Sequence, residues 1–163
     1  MKPLPHEYEV ALTGASVGYA TISAPGIPDL TAAPPLEYDG PGDTWSPEHL
    51  LLAAVSACYL FTLRAVAKAS RIDFVDADVR TSGTVARAAG VPRFTDIVVR
   101  ATVTLPAGGD ADALQRALDK TAGHCLISSS LIVTPRIEVT VHRAGTALPE
   151  RIKSPWLSSA MGV

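Results

Sequence analysis

The chain has 163 residues, 47% of them hydrophobic and 18% charged. That is enough for one domain with a sizeable core, and the composition excludes a disordered or fibrous chain. A formal net charge of −2 gives no electrostatic footprint for nucleic acid or for an anionic membrane.

The amino terminus, "MKPLPHEYEV", lacks the apolar core of a signal peptide and points to the cytoplasm. Next, "YEVALTGASVGYATISA" alternates apolar and polar residues on both sides of "TGASVG", which predicts a β-hairpin over Tyr8 to Ser23. Residues 24–45 are rich in proline and glycine and read as loop, with one short strand expected around Leu36 to Tyr38. Ser46-Pro47-Glu48 then opens a helix: serine caps, proline suits the first helical position, and a carboxylate suits the positive end of the helix dipole. The helix is expected to run to about Ser70. Residues 50–63 contain no charged side chain, but a run of 14 falls short of the roughly 18 to 20 needed to span a bilayer. Leu50, Leu51, Ala54, Val55, Cys58, Leu60, Phe61 and Leu63 cover nearly every face. Such a helix needs a wrapped sheet or a partner subunit around it.

Two strands follow, "ADVRTSGTVAR" and "FTDIVVRATVTL", with "VARAAGVPRF" as the turn between them. Val79, Val85, Ile97, Val99, Ala101, Val103 and Leu105 are the expected inward residues. Arg80, Arg87, Arg93 and Arg100 fall on this pair, where a solvated outer face is the usual place for them. Asp110 opens a second helix with an apolar stripe of Ala113, Leu114, Ala117 and Leu118. A last strand lies in "IVTPRIEVTVH", with Ile137, Val139 and Val141 alternating. The body is a single domain over 1–145, and 146–163 form a tail whose Trp156 and Leu157 are candidate anchors. Strands and helices do not alternate regularly, so the class is α+β.

The chain has two cysteines, Cys58 in the first helix and Cys125 at the end of the second. In a reducing compartment such a pair is not a disulfide framework. It is either redox-active or two small buried hydrophobes. Four histidines, at 6, 49, 124 and 142, lack the paired spacing of a zinc site, so neither a metal nor another cofactor is expected.

Taken together, "SPEHLLLAAVSACYLFTL", the strand pair, "GHCLISSSL" and the closing strand resemble the OsmC/Ohr family of cysteine-based peroxidases. The shared features are Pro47 and Glu48 at a helix start, Cys58 ten residues after the glutamate, and Cys125 followed by Ser128. The resemblance covers roughly residues 8 to 142. It implies an OsmC-like fold, with curved antiparallel sheets wrapped around central helices in an intertwined homodimer. It also implies a catalytic set of Cys58, Cys125 and Glu48. Cys58 would attack an organic hydroperoxide, Cys125 would resolve the product as a disulfide, and Glu48 would hold an arginine that activates the first thiol. An unidentified thiol reductant would close the cycle.

The arginine is where this chain departs from the family. Neither the hairpin turn "TGASVG" nor the loop "PPLEYDGPGDTW" contains one, and no lysine or arginine stands between Lys2 and Arg64. A cysteine of ordinary pKa, about 8.5, is only a few per cent ionised at pH 7, and lowering that value to about 6 takes about 3 kcal/mol. In a continuous helix Glu48 also lies roughly 15 Å along the axis from Cys58. A second departure is Leu126, where the family commonly has proline. Three readings therefore stand: a thiol peroxidase with Cys58 activated by other means, an OsmC-like protein that binds a small apolar ligand at its dimer interface, or a redox-sensing, stress-linked dimer that forms the disulfide slowly.

Overall fold

The computed structural model describes residues 3–145; the tail with Trp156 and Leu157 lies outside the described residues. The chain forms two compact units, one up to Ala54 and one from Val55 onward.

In the first unit, β1 (Ala11–Gly14), β2 (Ala20–Ser23) and β3 (Leu30–Ala32) form an antiparallel sheet in that order. The hairpin expected from the alternation is the β1–β2 pair, with Leu12 opposite Ile22 and Gly14 opposite Ala20. The third strand lies earlier than the sequence suggested. Leu36–Tyr38 is a turn of 3-10 helix, because Pro34 and Pro35 have no N–H with which to extend a ladder. The carbonyl of Pro35 instead accepts from the Tyr38 and Gly40 N–H groups, both at 3.0 Å. At Gly40 an added Cβ would collide with the Pro34 carbonyl, so the turn requires glycine there.

Helix α1 (Pro47–Ser70) begins where the cap signal placed it. Ser46 is buried, and its Oγ accepts the His49 N–H at 3.3 Å. The helix ends at Arg71, which takes a left-handed φ of 56°. Its N–H reaches the Lys68 carbonyl at 3.2 Å, and the Ile72 N–H reaches that of Ala67 at 2.9 Å, satisfying carbonyls that the helix leaves open. α1 is 24 residues long and apolar enough to cross a membrane. Its buried residues, Val55, Tyr59, Leu63 and Ala67, recur every four positions and so form one stripe. The expectation of a helix covered on most sides is therefore met on one face within a single chain: Phe61 is 59% exposed.

The second unit is built on β4 (Asp76–Ala88), β5 (Val91–Leu105) and β6 (Arg136–Arg143), in that order. The β4–β5 turn is tighter than the sequence suggested. Ala88 pairs with Val91, leaving Ala89 and Gly90 as a two-residue loop with φ of 53° and 82°. Positive φ at both positions matches the twist of the flanking strands. One inward expectation fails: Val85 is 42% exposed. It lies beyond the register shift at Thr84/Val85, in the outer half of β4, where burial has ended. β6 starts at Arg136 because Pro135 cannot donate to the ladder. It pairs parallel with β5, a correction to the all-antiparallel expectation. The return crosses over through α2 (Ala111–His124) and α3 (Leu126–Ser129), and parallel neighbours need a crossover of that kind.

Asp110 caps α2, with Oδ1 accepting the Ala113 N–H at 2.9 Å. Leu114 and Leu118 of α2 then join Leu63, Val103 and Leu105 in one core cluster. A second cluster holds Val55, Tyr59, Val99 and Ala101, with Ile127, Leu131, Ile137 and Val139 packed on it. The outer face of the sheet carries the arginines in exposed ion pairs, Arg80 with Asp78 at 3.0 Å and Arg100 with Glu138 at 2.9 Å. Each is worth little in water.

Tyr59 is 1% exposed and its hydroxyl is buried without a hydrogen-bond partner. Burial first, then the negative charges of Asp119 and Cys125, push its phenol up to about 12. The unfolded value is about 10. The stability this group contributes is therefore complete below pH 10 and is lost as pH rises from 10 through 12. Tyr59→Phe is expected to keep or gain up to about 1 kcal/mol at pH 7 and to lose less between pH 10 and 12, read by urea titration. A loss above about 2 kcal/mol at pH 7 would show that the hydroxyl has a partner.

Candidate functional site

Both cysteines belong to the second unit and both are free thiols. Cys58 stands midway along α1, flanked in sequence by Ala57 and the buried Tyr59. Cys125 is buried at the junction of α2 and α3, where its extended backbone (φ −72°, ψ 106°) ends one helix and starts the next. Packing fixes this junction. Leu114 and Leu118 of α2 belong to one core cluster, and Ile127 of α3 packs on the cluster containing Val55 and Tyr59. The cysteines, 67 positions apart in sequence, are thus brought together by apolar contacts, close enough for each thiol to shift the other's pKa.

The Cys58 sulfur is surrounded by neutral donors. The Ile127 N–H points at its Sγ from 3.5 Å, and Thr62 Oγ1, one helical turn further along α1, lies 4.0 Å away. Burial is the largest single influence on this thiol and pushes its pKa up. The Ile127 N–H, the Cys125 thiol, the Thr62 hydroxyl and the Leu126 N–H oppose burial and together outweigh it, leaving Cys58 below the ordinary cysteine value. Cys125 is held above that value, first by burial and then by its contact with Cys58. Ser128 works the other way: its Oγ–H donates to the Cys125 Sγ at 3.1 Å. The pair is therefore polarised, with the half-buried Cys58 as the more acidic thiol.

Among the described residues, the groups that face the Cys58 sulfur carry no formal charge. Two of them are backbone amides, which a sequence motif does not display. The second departure bears on the same point. A proline at 126 has no N–H, so the leucine found there adds a donor toward Cys58. Thr62 was open to sequence reasoning, since residues four apart share a helix face.

The other named positions have different surroundings. His124 approaches the Lys120 carbonyl with Nδ1 at 2.7 Å, the ordinary position of a histidine ending a helix. Glu48 belongs to the first unit, where it lines an apolar cavity of about 600 Å³ with Val10, Leu12, Ile22 and Tyr38. Its Oε2 is buried and has no hydrogen-bond partner among the described residues. Among these residues no group of three or more histidine, cysteine or acidic side chains is arranged to hold a metal.

Comparison with known proteins agrees with the fold. An uncharacterized protein of Bacillus subtilis, YmaD, is 35% identical over 100 residues, covering 60% of this chain and 67% of its own. Among solved structures, an OsmC-like protein of unknown function from Vibrio cholerae superposes with a TM-score of 0.76 at 16% identity. The match covers 83% of this chain and all of that one (100%). An organic hydroperoxide resistance protein from Elizabethkingia anophelis superposes with a TM-score of 0.69 at 20% identity, covering 88% of this chain and 99% of that one. Identities this low speak to fold alone. The model of the family described as OsmC-like protein matches residues 40–142, which span α1, both cysteines and all but the last residue of the second sheet. The chain belongs to the OsmC-like protein family.

Proposed function

We propose that this protein is a thiol-dependent reductase of organic hydroperoxides, with Cys58 as the attacking residue and Cys125 as the resolving one. The observation that carries the reading is the neighbouring thiol pair, in which the Ile127 N–H faces the Cys58 sulfur at 3.5 Å, the Ser128 hydroxyl meets that of Cys125 at 3.1 Å, and Cys58 alone is made more acidic. Organic hydroperoxide resistance proteins among the structural neighbours support it at the level of fold.

In the first step the Cys58 thiolate attacks the terminal oxygen of the hydroperoxide. The O–O bond breaks, an S–O bond forms, sulfur loses two electrons, and the departing alkoxide takes up a proton to leave as alcohol. In the second step Cys125 attacks the sulfur of the Cys58 sulfenic acid, the S–S bond forms and water leaves. Ser128 assists here, because its Oγ–H stabilises the Cys125 thiolate as the proton departs. An external dithiol then returns both residues to thiols and is itself oxidised to a disulfide. That cycle suits a reducing, cytoplasmic setting.

The working form in this reading is a homodimer. β1 is exposed along its whole length, and Leu12 and Phe61 are 67% and 59% exposed. A second copy is the simplest cover for apolar surface of this extent.

Mixing the reduced protein with one equivalent of cumene hydroperoxide tests the reaction directly. Two thiols per chain are expected to disappear within seconds, by thiol counting, and Cys58→Ser is expected to lose none. In Cys125→Ser a single thiol is expected to go, leaving a sulfenic acid that dimedone traps. Thiols that persist for many minutes in the native chain would overturn the proposal.

Activation by backbone donors has its own test. Cys125 already has the extended backbone preferred before proline, and residue 126 opens α3, where proline is tolerated. Leu126→Pro is therefore expected to fold and to raise the Cys58 pKa. Its iodoacetamide labelling at pH 7 should slow by about 2- to 10-fold, the worth of one hydrogen bond, while Leu126→Ala should label like the native chain. Equal rates for the proline variant would show that the Leu126 N–H contributes nothing.

A further inference from the structure

Thr62 holds its hydroxyl away from its own helix. A threonine or serine inside a helix commonly turns its hydroxyl back onto the carbonyl four residues earlier. Thr121 of α2 does so, donating to the Ala117 carbonyl at 2.8 Å. Ser129 and Ser130 donate in the same way to the carbonyls of Cys125 and Leu126, both at 3.0 Å. Thr62 does not. Its Oγ1 faces the Cys58 sulfur at 4.0 Å, and among the described residues it has no other hydrogen-bond partner. The side chain is half-buried, so this hydroxyl is neither tied to the backbone nor simply turned out to water.

A separation of 4.0 Å is long for a hydrogen bond and leaves a gap beside the sulfur. One oxygen atom fits that gap. Reacting atoms in a productive arrangement lie about 3–3.5 Å apart, and an O–H···O bond spans about 2.5–3.0 Å. An oxygen about 3.3 Å from the sulfur and about 2.8 Å from Oγ1 satisfies both conditions across the observed 4.0 Å. A hydroxyl has one donor and two lone pairs, so Thr62 can donate to the thiolate and accept from a second O–H at the same time.

We propose that Thr62 binds the terminal O–H of the hydroperoxide and lines that oxygen up with the Cys58 sulfur, an inference that rests on the peroxidase reading. Oγ1 accepts from the terminal O–H while its own O–H donates to the thiolate. The sulfur then attacks the terminal oxygen: the S–O bond forms, the O–O bond breaks, and sulfur is oxidised by two electrons. The transferred oxygen keeps its proton as the sulfenic O–H, and the oxygen bonded to carbon leaves as alkoxide and takes a proton from water. The contact requires a terminal O–H, so it favours hydroperoxides over thiol-reactive compounds that lack one, such as iodoacetamide.

The test compares two reactions of Cys58 in the full-length chain, with cumene hydroperoxide and with iodoacetamide. Each rate is read on the Cys58 peptide by mass spectrometry, measured against pH and expressed per thiolate. Thr62→Val keeps the shape of the side chain and removes the hydroxyl. It is expected to slow the hydroperoxide reaction by about 10- to 100-fold, the worth of a hydrogen bond to a charged or reacting group. Iodoacetamide labelling per thiolate is expected to change by less than about threefold. Thr62→Ser restores a hydroxyl and is expected to recover most of the hydroperoxide rate. Equal loss of both rates in Thr62→Val would show that the hydroxyl acts on the thiol alone, and an unchanged hydroperoxide rate would show that it does not touch the substrate; either overturns the proposal. A native chain that reacts with iodoacetamide but not with the hydroperoxide sinks the peroxidase reading itself, and this inference with it. Should Thr62→Val fail to fold, Thr62→Ala carries the same comparison.

Discussion

The approach of the Ile127 N–H to the Cys58 sulfur is the contact on which the second unit's chemistry depends. It joins the middle of one helix to the first residues of another, 69 positions away in sequence. No local interaction brings these together. α1 is laid on β5 by Val55 and Tyr59, and α2 is held to the same sheet by Leu114 and Leu118. The short α3 is then positioned by Ile127, whose side chain packs in the core while its N–H faces the sulfur. One residue therefore serves both packing and electrostatics, so the thiol's environment is as rigid as the core itself.

Activation by neutral dipoles differs in kind from activation by a guanidinium. An arginine about 4 Å from a thiolate supplies about 4 kcal/mol at an effective dielectric of 20, but it is mobile and screened by salt at an exposed site. Backbone amides already aimed at the sulfur reorganise little when charge forms, and a hydrogen bond to a charged group is worth about 1.5–3 kcal/mol. Such donors oppose burial at Cys58 and leave its pKa below the ordinary cysteine value. The acidity of Cys58 should accordingly respond weakly to ionic strength and strongly to the conformation of the Cys125–Ile127 junction.

The legible and illegible parts of this molecule divide along the same line. Ser46-Pro47-Glu48 placed the start of α1, Asp110 that of α2, and the alternation in residues 94–105 gave the buried face of β5. These signals are local, and side-chain chemistry writes them directly. The short strand expected at Leu36 to Tyr38 became a 3-10 turn because two preceding prolines removed ladder donors. Val85 kept its alternation yet stayed exposed, since alternation assigns a face but not what covers it. The parallel β5–β6 pairing depends on the crossover through α2 and α3, which periodicity does not encode. At the site, both cysteines and Ser128 stood out in the sequence, but the amides of residues 126 and 127 did not. Leu126 attracted notice only as a proline that was missing, and its meaning lay in the N–H that a proline lacks.

Glu48 keeps its place in the sequence motif, and its buried Oε2 has no hydrogen-bond partner among the described residues. The family resemblance implies that the glutamate at this helix start orients an arginine; the hairpin turn and the loop before the helix hold none. The positive end of the α1 dipole explains why an acidic residue is tolerated in the first turn. It does not explain why that residue's side chain lines an apolar cavity rather than facing water. A helix-terminal role alone would be served as well by an exposed aspartate, without the desolvation of a buried oxygen.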